Sequence, residues 1–267
     1  MRIRAMFQRV KDEHRAALVA YITAGDPSPE RTPAMVAALE RGGVDLVELG
    51  VPFSDPIADG PVIQAASERA LKAGTSLRLV LEMAEQIRRR SDVPLLLFSY
   101  LNPVMRYGVN ALAHDAAKSG IDGVLLTDLS VEEADGIVPV MRGAALDTVF
   151  LASPTSTQKR LELVGRHSSG FVYLVSRTGV TGERESVAAS LEVLAANVRK
   201  ATSLPVAVGF GISTPDQAAQ VGRIADGVVV GSAFVRLVEH NGKSPQLEAK
   251  LETFARSLSQ ALVGVRV

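Results

Sequence analysis

The sequence predicts a (β/α)8 barrel, the TIM barrel, with one domain over residues 1–267. Three observations carry the prediction. Short runs rich in Val, Leu and Ile recur eight times. Continuous apolar runs of that length suit parallel strands covered on both faces. Segments of helical composition separate them, in strict alternation and with no composition break that would mark a domain boundary. An open, doubly wound sheet is the architectural competitor.

The elements follow in order. Ile3, Met6, Phe7 and Val10 repeat at i, i+3, i+4, i+7, the spacing of an amphipathic helix, and this extra N-terminal helix is placed to plug one end of the barrel. The strands are read at Leu18–Thr23, Asp45–Leu49, Pro94–Tyr100, Gly123–Asp128, Thr148–Ser153, Phe171–Ser176, Pro205–Phe210 and Gly227–Gly231. Helices are read at Pro29–Arg41, Leu77–Arg90, Ala111–Ser119, Val131–Arg142, Gln158–His167, Val187–Lys200 and Thr214–Arg223. Ser28-Pro29, Thr157 and Ser213-Thr214-Pro215 resemble helix N-caps. The spacing from strand 2 to strand 3 exceeds the others by about one helix, which predicts an extra helix over Pro61–Ala73 in the loop after strand 2. Gly43-Val-Asp45, Gly120-Ile-Asp122 and Ile224-Ala-Asp226 echo one another at strand starts, as expected of repeated βα units. A helix follows Gly231-Ser232-Ala233, and a last stripe of Leu247, Leu251, Phe254, Leu258 and Leu262 closes the chain.

Composition excludes several functions. Among 267 residues the net charge is zero and no basic stripe appears, which argues against nucleic acid. The absence of cysteine removes thiolate chemistry and Cys metal sites. No window approaches the roughly 18 apolar residues of a membrane span, and the first residues do not read as a signal peptide, so a cytoplasmic protein is the expectation.

Barrel enzymes place their chemistry at strand C-termini. His14, His114, His167 and His240 all fall on helices or their flanks, which disfavours a His-ligated metal or a Ser-His-Asp relay. No lysine lies at a strand exit, so a Schiff base lacks its nucleophile. Oxygen remains: Glu48, Asp55, Asp59, Asp128 and several hydroxyls. Glu48 shares the strand face of Val44 and Leu46, and a buried carboxylate there is either structural or functional. Asp59, in a Pro/Gly-rich loop, tilts the choice toward acid–base chemistry, with one carboxylate raised and the other ordinary. Glycine-rich loops after strands 6, 7 and 8 (Ser176–Gly182, Gly209–Ser213, Gly231-Ser232) suit a phosphate held by backbone N–H groups. The strand 6 loop is expected to act as a lid, with Thr181 reaching the site. Tyr21, Tyr100, Tyr173 and Phe210 lie near strand exits and together suggest an apolar slot for a flat ligand.

The stretch Glu48-Leu-Gly-Val-Pro-Phe-Ser-Asp-Pro-Ile-Ala-Asp-Gly-Pro-Val-Ile-Gln64 resembles the signature of the tryptophan synthase alpha chain family. Thr23-Ala-Gly-Asp-Pro27, Ser99-Tyr-Leu-Asn-Pro103, Pro154-Thr-Ser-Thr157, Arg177–Gly182, Gly209–Ser213 and Gly231-Ser232 match in the expected order, so the resemblance covers essentially the whole chain. It implies a lyase that cleaves indole-3-glycerol phosphate to indole and glyceraldehyde 3-phosphate, with Glu48 and Asp59 as the catalytic pair. It implies a phosphate on Gly182, Gly211, Gly231 and Ser232, an indole pocket lined by Tyr21, Tyr100, Tyr173 and Phe210, and Thr181 as the lid residue meeting Asp59. It further implies no cofactor or metal in this chain. The expected partner is a beta chain carrying pyridoxal phosphate, which receives indole through a tunnel in an alpha2-beta2 heterotetramer. Pro52, Asp55, Pro56 and Asn102 match positions facing that partner. The chain departs from the family at Thr127-Asp-Leu-Ser130, where Ser130 replaces a proline and Thr127 brings a hydroxyl to the pocket wall, and at Ala20. The competing functions are a non-catalytic barrel that binds the phosphate ligand to regulate a partner, and another phosphate-binding barrel such as an isomerase or an indole-glycerol-phosphate synthase. The missing strand-exit lysine disfavours the synthase.

Overall fold

The computed structural model describes residues 2–175, 184–209 and 211–265. Its order is α1 (Arg2–Asp12), β1 (Ala17–Thr23), a 3-10 turn at Pro29–Arg31, α2 (Thr32–Arg41), β2 (Leu46–Gly50), α3 (Pro61–Lys72), α4 (Leu77–Arg88) and β3 (Leu95–Ser99). There follow α5 (Leu101–Tyr107), α6 (Val109–Lys118), β4 (Gly123–Leu126), a 3-10 stretch at Val131–Gly136, α7 (Val138–Gly143), β5 (Asp147–Ala152) and α8 (Gln158–His167). The chain continues through β6 (Val172–Val175), α9 (Arg184–Ala201), β7 (Val206–Gly209), α10 (Pro215–Gly222), β8 (Gly227–Val230), α11 (Ser232–Asn241) and α12 (Leu247–Ala261). The strands close in sequence order into a parallel barrel, β8 pairing back onto β1. The expected barrel, its N-terminal helix and its additional helix after β2 are all present.

Alternation along the strands sorts two cores. Inward residues Ala17, Val19, Leu46, Leu96, Leu125, Val149, Phe171, Ala207 and Val229 meet Ile3, Met6, Phe7 and Val10 of α1, which stops the N-terminal end. The Phe7 ring lies 5.5 Å from Phe171. Outward residues pack under the helices. Val44, expected to share the face of Glu48, precedes β2 and packs in the outer core, whereas Leu46 does face inward.

The N-terminal ends of the strands carry a repeated clamp. The Asp45 carboxylate accepts from the Leu18 N–H at 2.9 Å and pairs with Arg15. Asp122 accepts from Leu95 N–H at 2.9 Å and pairs with Arg88. Asp226 accepts from Val206 N–H at 2.9 Å and pairs with Arg199. At the fourth equivalent place Ser169 accepts from Thr148 N–H at 3.0 Å.

Differences from expectation have local causes. Helix α5 was not foreseen, and it carries Pro103. That proline sits in the first helical turn, where the missing N–H has no intrahelical partner to lose. The helix expected over Val131–Arg142 divides at Ile137, which precedes a short α7 carrying Pro139 in its first turn. Thr157 and Thr214 cap their helices, Thr214 in a capping box with Gln217, while Ser28 makes no side-chain cap bond.

Candidate active site

The C-terminal mouth collects the chemistry-bearing residues. Tyr21 on β1 stands in register with Glu48 on β2, and both point into the barrel. Glu48 is 1% exposed and one of its carboxylate oxygens, Oε1, has no hydrogen-bond partner in the structure. Burial pushes its pKa up to about 8. At neutral pH this group holds its proton while aimed into a cleft, the condition for a general acid.

Asp59 is placed by the loop after β2. Its backbone carbonyl accepts from Gln64 Nε2 of α3 at 2.8 Å. Helix α3 is itself held at the mouth by Arg69, whose guanidinium forks onto Asp26 at 2.9 and 2.8 Å. The half-buried Asp59 carboxylate is pushed up to about 6, burial raising it and a hydrogen bond from Tyr100 opposing the rise. It is therefore mostly ionised at neutral pH. Both carboxyls are raised, rather than one raised and one ordinary, and they remain about two pH units apart.

The tyrosines fit because glycines face them. A Cβ on Gly50 would lie 2.2 Å from the Tyr21 phenol oxygen, and one on Gly209 would lie 2.3 Å from that of Tyr173. Gly209, read from sequence as part of a phosphate loop, thus also makes room for a phenol. Burial and the neighbouring Glu48 raise the Tyr173 phenol, and burial with Asp59 and Glu48 raises that of Tyr21. Both stay neutral donors. Phe98, not foreseen, meets Tyr21 edge-on at 5.1 Å. Its inward position two residues before Tyr100 was readable from strand alternation.

Tyr100 closes the wall near Asp59. Its ring lies 5.2 Å from Phe53 and its phenol oxygen accepts from the Ala58 N–H at 3.0 Å. Asp128 has a structural role: it accepts from Leu101 N–H at 2.7 Å at the start of α5. Across the mouth, Gly231 and Ser232 form the start of α11 with no side-chain cap bond, so backbone N–H groups face outward. Gly231 approaches Tyr21: a Cβ there would stand 3.5 Å from the tyrosine's own Cβ. Gly211 adopts φ +71, the left-handed region that favours glycine. Thr181, Gly182 and Phe210 lie outside the described residues.

Pro52 is buried, Pro56 half-buried, and Asp55 and Asn102 exposed. Ile57 (85% exposed) and Met105 (58%) lie on the same two segments, large apolar groups left in solvent. Sequence reasoning missed both, because a helix or loop does not reveal which of its apolar residues lack cover. Among the described residues no cluster of three or more His, Cys, Asp or Glu is arranged to hold a metal, and no helix is long and apolar enough to cross a membrane.

The sequence model of the family described as "Tryptophan synthase alpha chain" matches residues 7–263. The chain is 64% identical to the tryptophan synthase alpha chain of Solibacter usitatus (97% of each chain covered) and 50% identical to that of Geobacter sulfurreducens (98% of each). The solved tryptophan synthase subunit alpha of Legionella pneumophila superposes with a TM-score of 0.91 at 38% identity, covering 98% of both chains. A Mycobacterium tuberculosis tryptophan synthase structure does so with 0.90 at 34%, again covering 98% of both. The chain belongs to the tryptophan synthase alpha chain family, the lyases that cleave indole-3-glycerol phosphate in tryptophan biosynthesis.

Proposed function

We propose that Glu48 and Asp59 divide the retro-aldol cleavage of indole-3-glycerol phosphate between them. The observation that carries this reading is a Glu48 carboxyl buried at the barrel mouth with Oε1 unpartnered among the described residues, its pKa raised further than that of the half-buried Asp59 on the loop that follows the same strand. Cleavage needs an electron sink, and the indole ring supplies it once carbon C3 is protonated. Glu48 delivers that proton. The same carboxylate then accepts the proton of the glycerol hydroxyl as the C–C bond breaks, its electrons returning to the ring and the hydroxyl carbon becoming the aldehyde. Asp59, ionised, accepts a hydrogen bond from the indole N–H and stabilises the cation between the two steps.

Tyr21, Tyr100, Tyr173 and Phe210 form the slot for the indole ring. Gly182, Gly211, Gly231 and Ser232 hold the phosphate, the α11 N-terminus contributing its unpaired N–H groups. Thr181 closes over Asp59. The product indole passes to a beta chain that carries pyridoxal phosphate, in an alpha2-beta2 assembly. Pro52, Asp55, Pro56 and Asn102 face that chain, and the exposed Ile57 and Met105 support this placement. The complex acts in the cytoplasm.

The test is indole release from indole-3-glycerol phosphate by the purified chain, across pH, with and without a beta chain. The expected profile is bell-shaped, with limbs near 6 and 8 set by Asp59 and Glu48. Glu48→Gln and Asp59→Asn are each expected to lower kcat by about a hundredfold or more. Substrate binding without release, even with a competent beta chain, would make the chain a regulatory barrel instead.

A further inference from the structure

The turn that carries Asp59 is thinly held by its own backbone. It runs from Pro56 to Asp59 and is closed by the Asp59 N–H donating to the Pro56 carbonyl at 3.1 Å. Its residues are half-buried or exposed. The junction with α3 adds little. Gly60 stands at the start of that helix with no side-chain cap bond, and Pro61 in the first turn has no N–H to give. A Cβ on Gly60 would meet nothing within 4 Å, so no neighbour packs against the joint.

Two side chains reach the turn from other elements. From the exit of β3, the Tyr100 phenol oxygen accepts from the Ala58 N–H at 3.0 Å. From α3, the Gln64 amide spans both ends: Nε2 donates to the Asp59 carbonyl at 2.8 Å and stands 3.4 Å from the Pro56 carbonyl. Both partners are acceptors, so only an NH2 group, with its two protons, serves both at once. Helix α3 gives this brace a fixed base. Its Ala66, Ser67 and Ala70 are buried. Its Arg69 forks onto the buried Asp26 after β1 and pairs with Glu239 of α11 at 3.0 Å.

We infer that Gln64 is a positioning residue for the cleavage: its amide ties the Pro56–Asp59 turn to α3 and so sets where the Asp59 carboxylate stands relative to Glu48. The inference rests on Asp59 having the role proposed above. Gln64 acts through backbone carbonyls and not on substrate. A displaced carboxylate loses its hold on the developing cation while the rest of the substrate still binds, so the effect falls on kcat and spares KM.

The test is steady-state indole release from indole-3-glycerol phosphate with the beta chain saturating, beside hydrogen exchange of the ligand-free chain. Gln64→Met keeps the length and removes both donors. It is expected to lower kcat about tenfold with KM within about twofold, the circular dichroism spectrum being unchanged. Gln64→Glu keeps the length and, ionised, can only accept; it is expected to lose as much. In both variants the Ala58 and Asp59 amides are expected to exchange about tenfold faster. In an Asp59→Asn background, Gln64→Met is expected to cost less than about twofold further. A Gln64→Met kcat within twofold of the natural chain's overturns the inference. So does a Gln64→Glu chain with natural kcat, since donation would then be unnecessary. A full tenfold loss on top of Asp59→Asn also overturns it, because Gln64 would then act elsewhere than through Asp59. Unmoved exchange would remove the brace itself. The exchange arm needs no turnover and Asp59→Asn alone tests the carboxylate's role, so a failure of the lyase reading is seen separately.

Discussion

Glu48 holds a proton that its unfolded counterpart would release. Its carboxyl titrates near 8 in the folded chain, against an ordinary value of 4.5. Between those values the native state binds more protons than the unfolded one, so this group's contribution to stability falls as pH rises through that window. Above 8 the folded chain carries a buried charge with no cation beside it among the described residues. Relative to Glu48→Gln, the natural chain is expected to lose about 2–5 kcal/mol between pH 5 and pH 8.5. Urea unfolding of both proteins at three pH values measures it, and parallel curves would show that Glu48 is not charged on that face. The carboxyl itself was legible in the sequence as a charge on an inward strand position. Its two tyrosine neighbours were legible only as aromatics near strand exits. Their packing depends on Gly50 and Gly209, whose missing side chains gain significance only when neighbouring strands of the barrel are brought together.

At the scale of elements, all eight strands and most helices followed from apolar runs and turn residues, because each run is covered on both faces. The exceptions fall where one residue carries two meanings. Asp128 reads as a site carboxylate yet accepts from the first N–H of α5, a helix that carries Pro103 in its first turn. The strand-start echo at Asp45, Asp122 and Asp226 was visible as a motif, but its partners, an arginine ahead of the preceding strand and that strand's N–H, lie one βα unit back and are not marked by the motif. Removing one carboxylate leaves both uncompensated. Asp45→Ala is expected to destabilise the chain by about 3–5 kcal/mol, since Arg15 is largely buried beside it, while the pH limbs of indole release stay in place. Chemical denaturation with an activity profile checks both halves of that statement.

For the whole molecule, the two ends of the barrel differ in kind. The N-terminal end is closed by α1 and tied by ion pairs. The C-terminal end leaves Ile57 and Met105 uncovered around Glu48 and Asp59. That asymmetry fits the partner docking proposed above. Met105→Asp places a charge where an apolar contact is expected. It should weaken association with a beta chain by tenfold or more in calorimetric titration while the circular dichroism spectrum of the isolated chain is unchanged. Equal affinity would move the interface off α5.

The clamps at the N-terminal end also bear on how the chain finds its fold. Each ties an odd-numbered strand to the residue just ahead of the next strand, at sequence separations of 27, 27, 21 and 20 residues. Such contacts close short loops, the cheapest kind in chain entropy. The chain is therefore set to gather as four two-strand hooks before the ring shuts, with the β8-to-β1 seam the costliest closure. A circular permutant opened between β2 and β3 keeps every hook local. One opened between β1 and β2 turns its first hook into the longest contact in the molecule, and is expected to refold more slowly from the same native contacts.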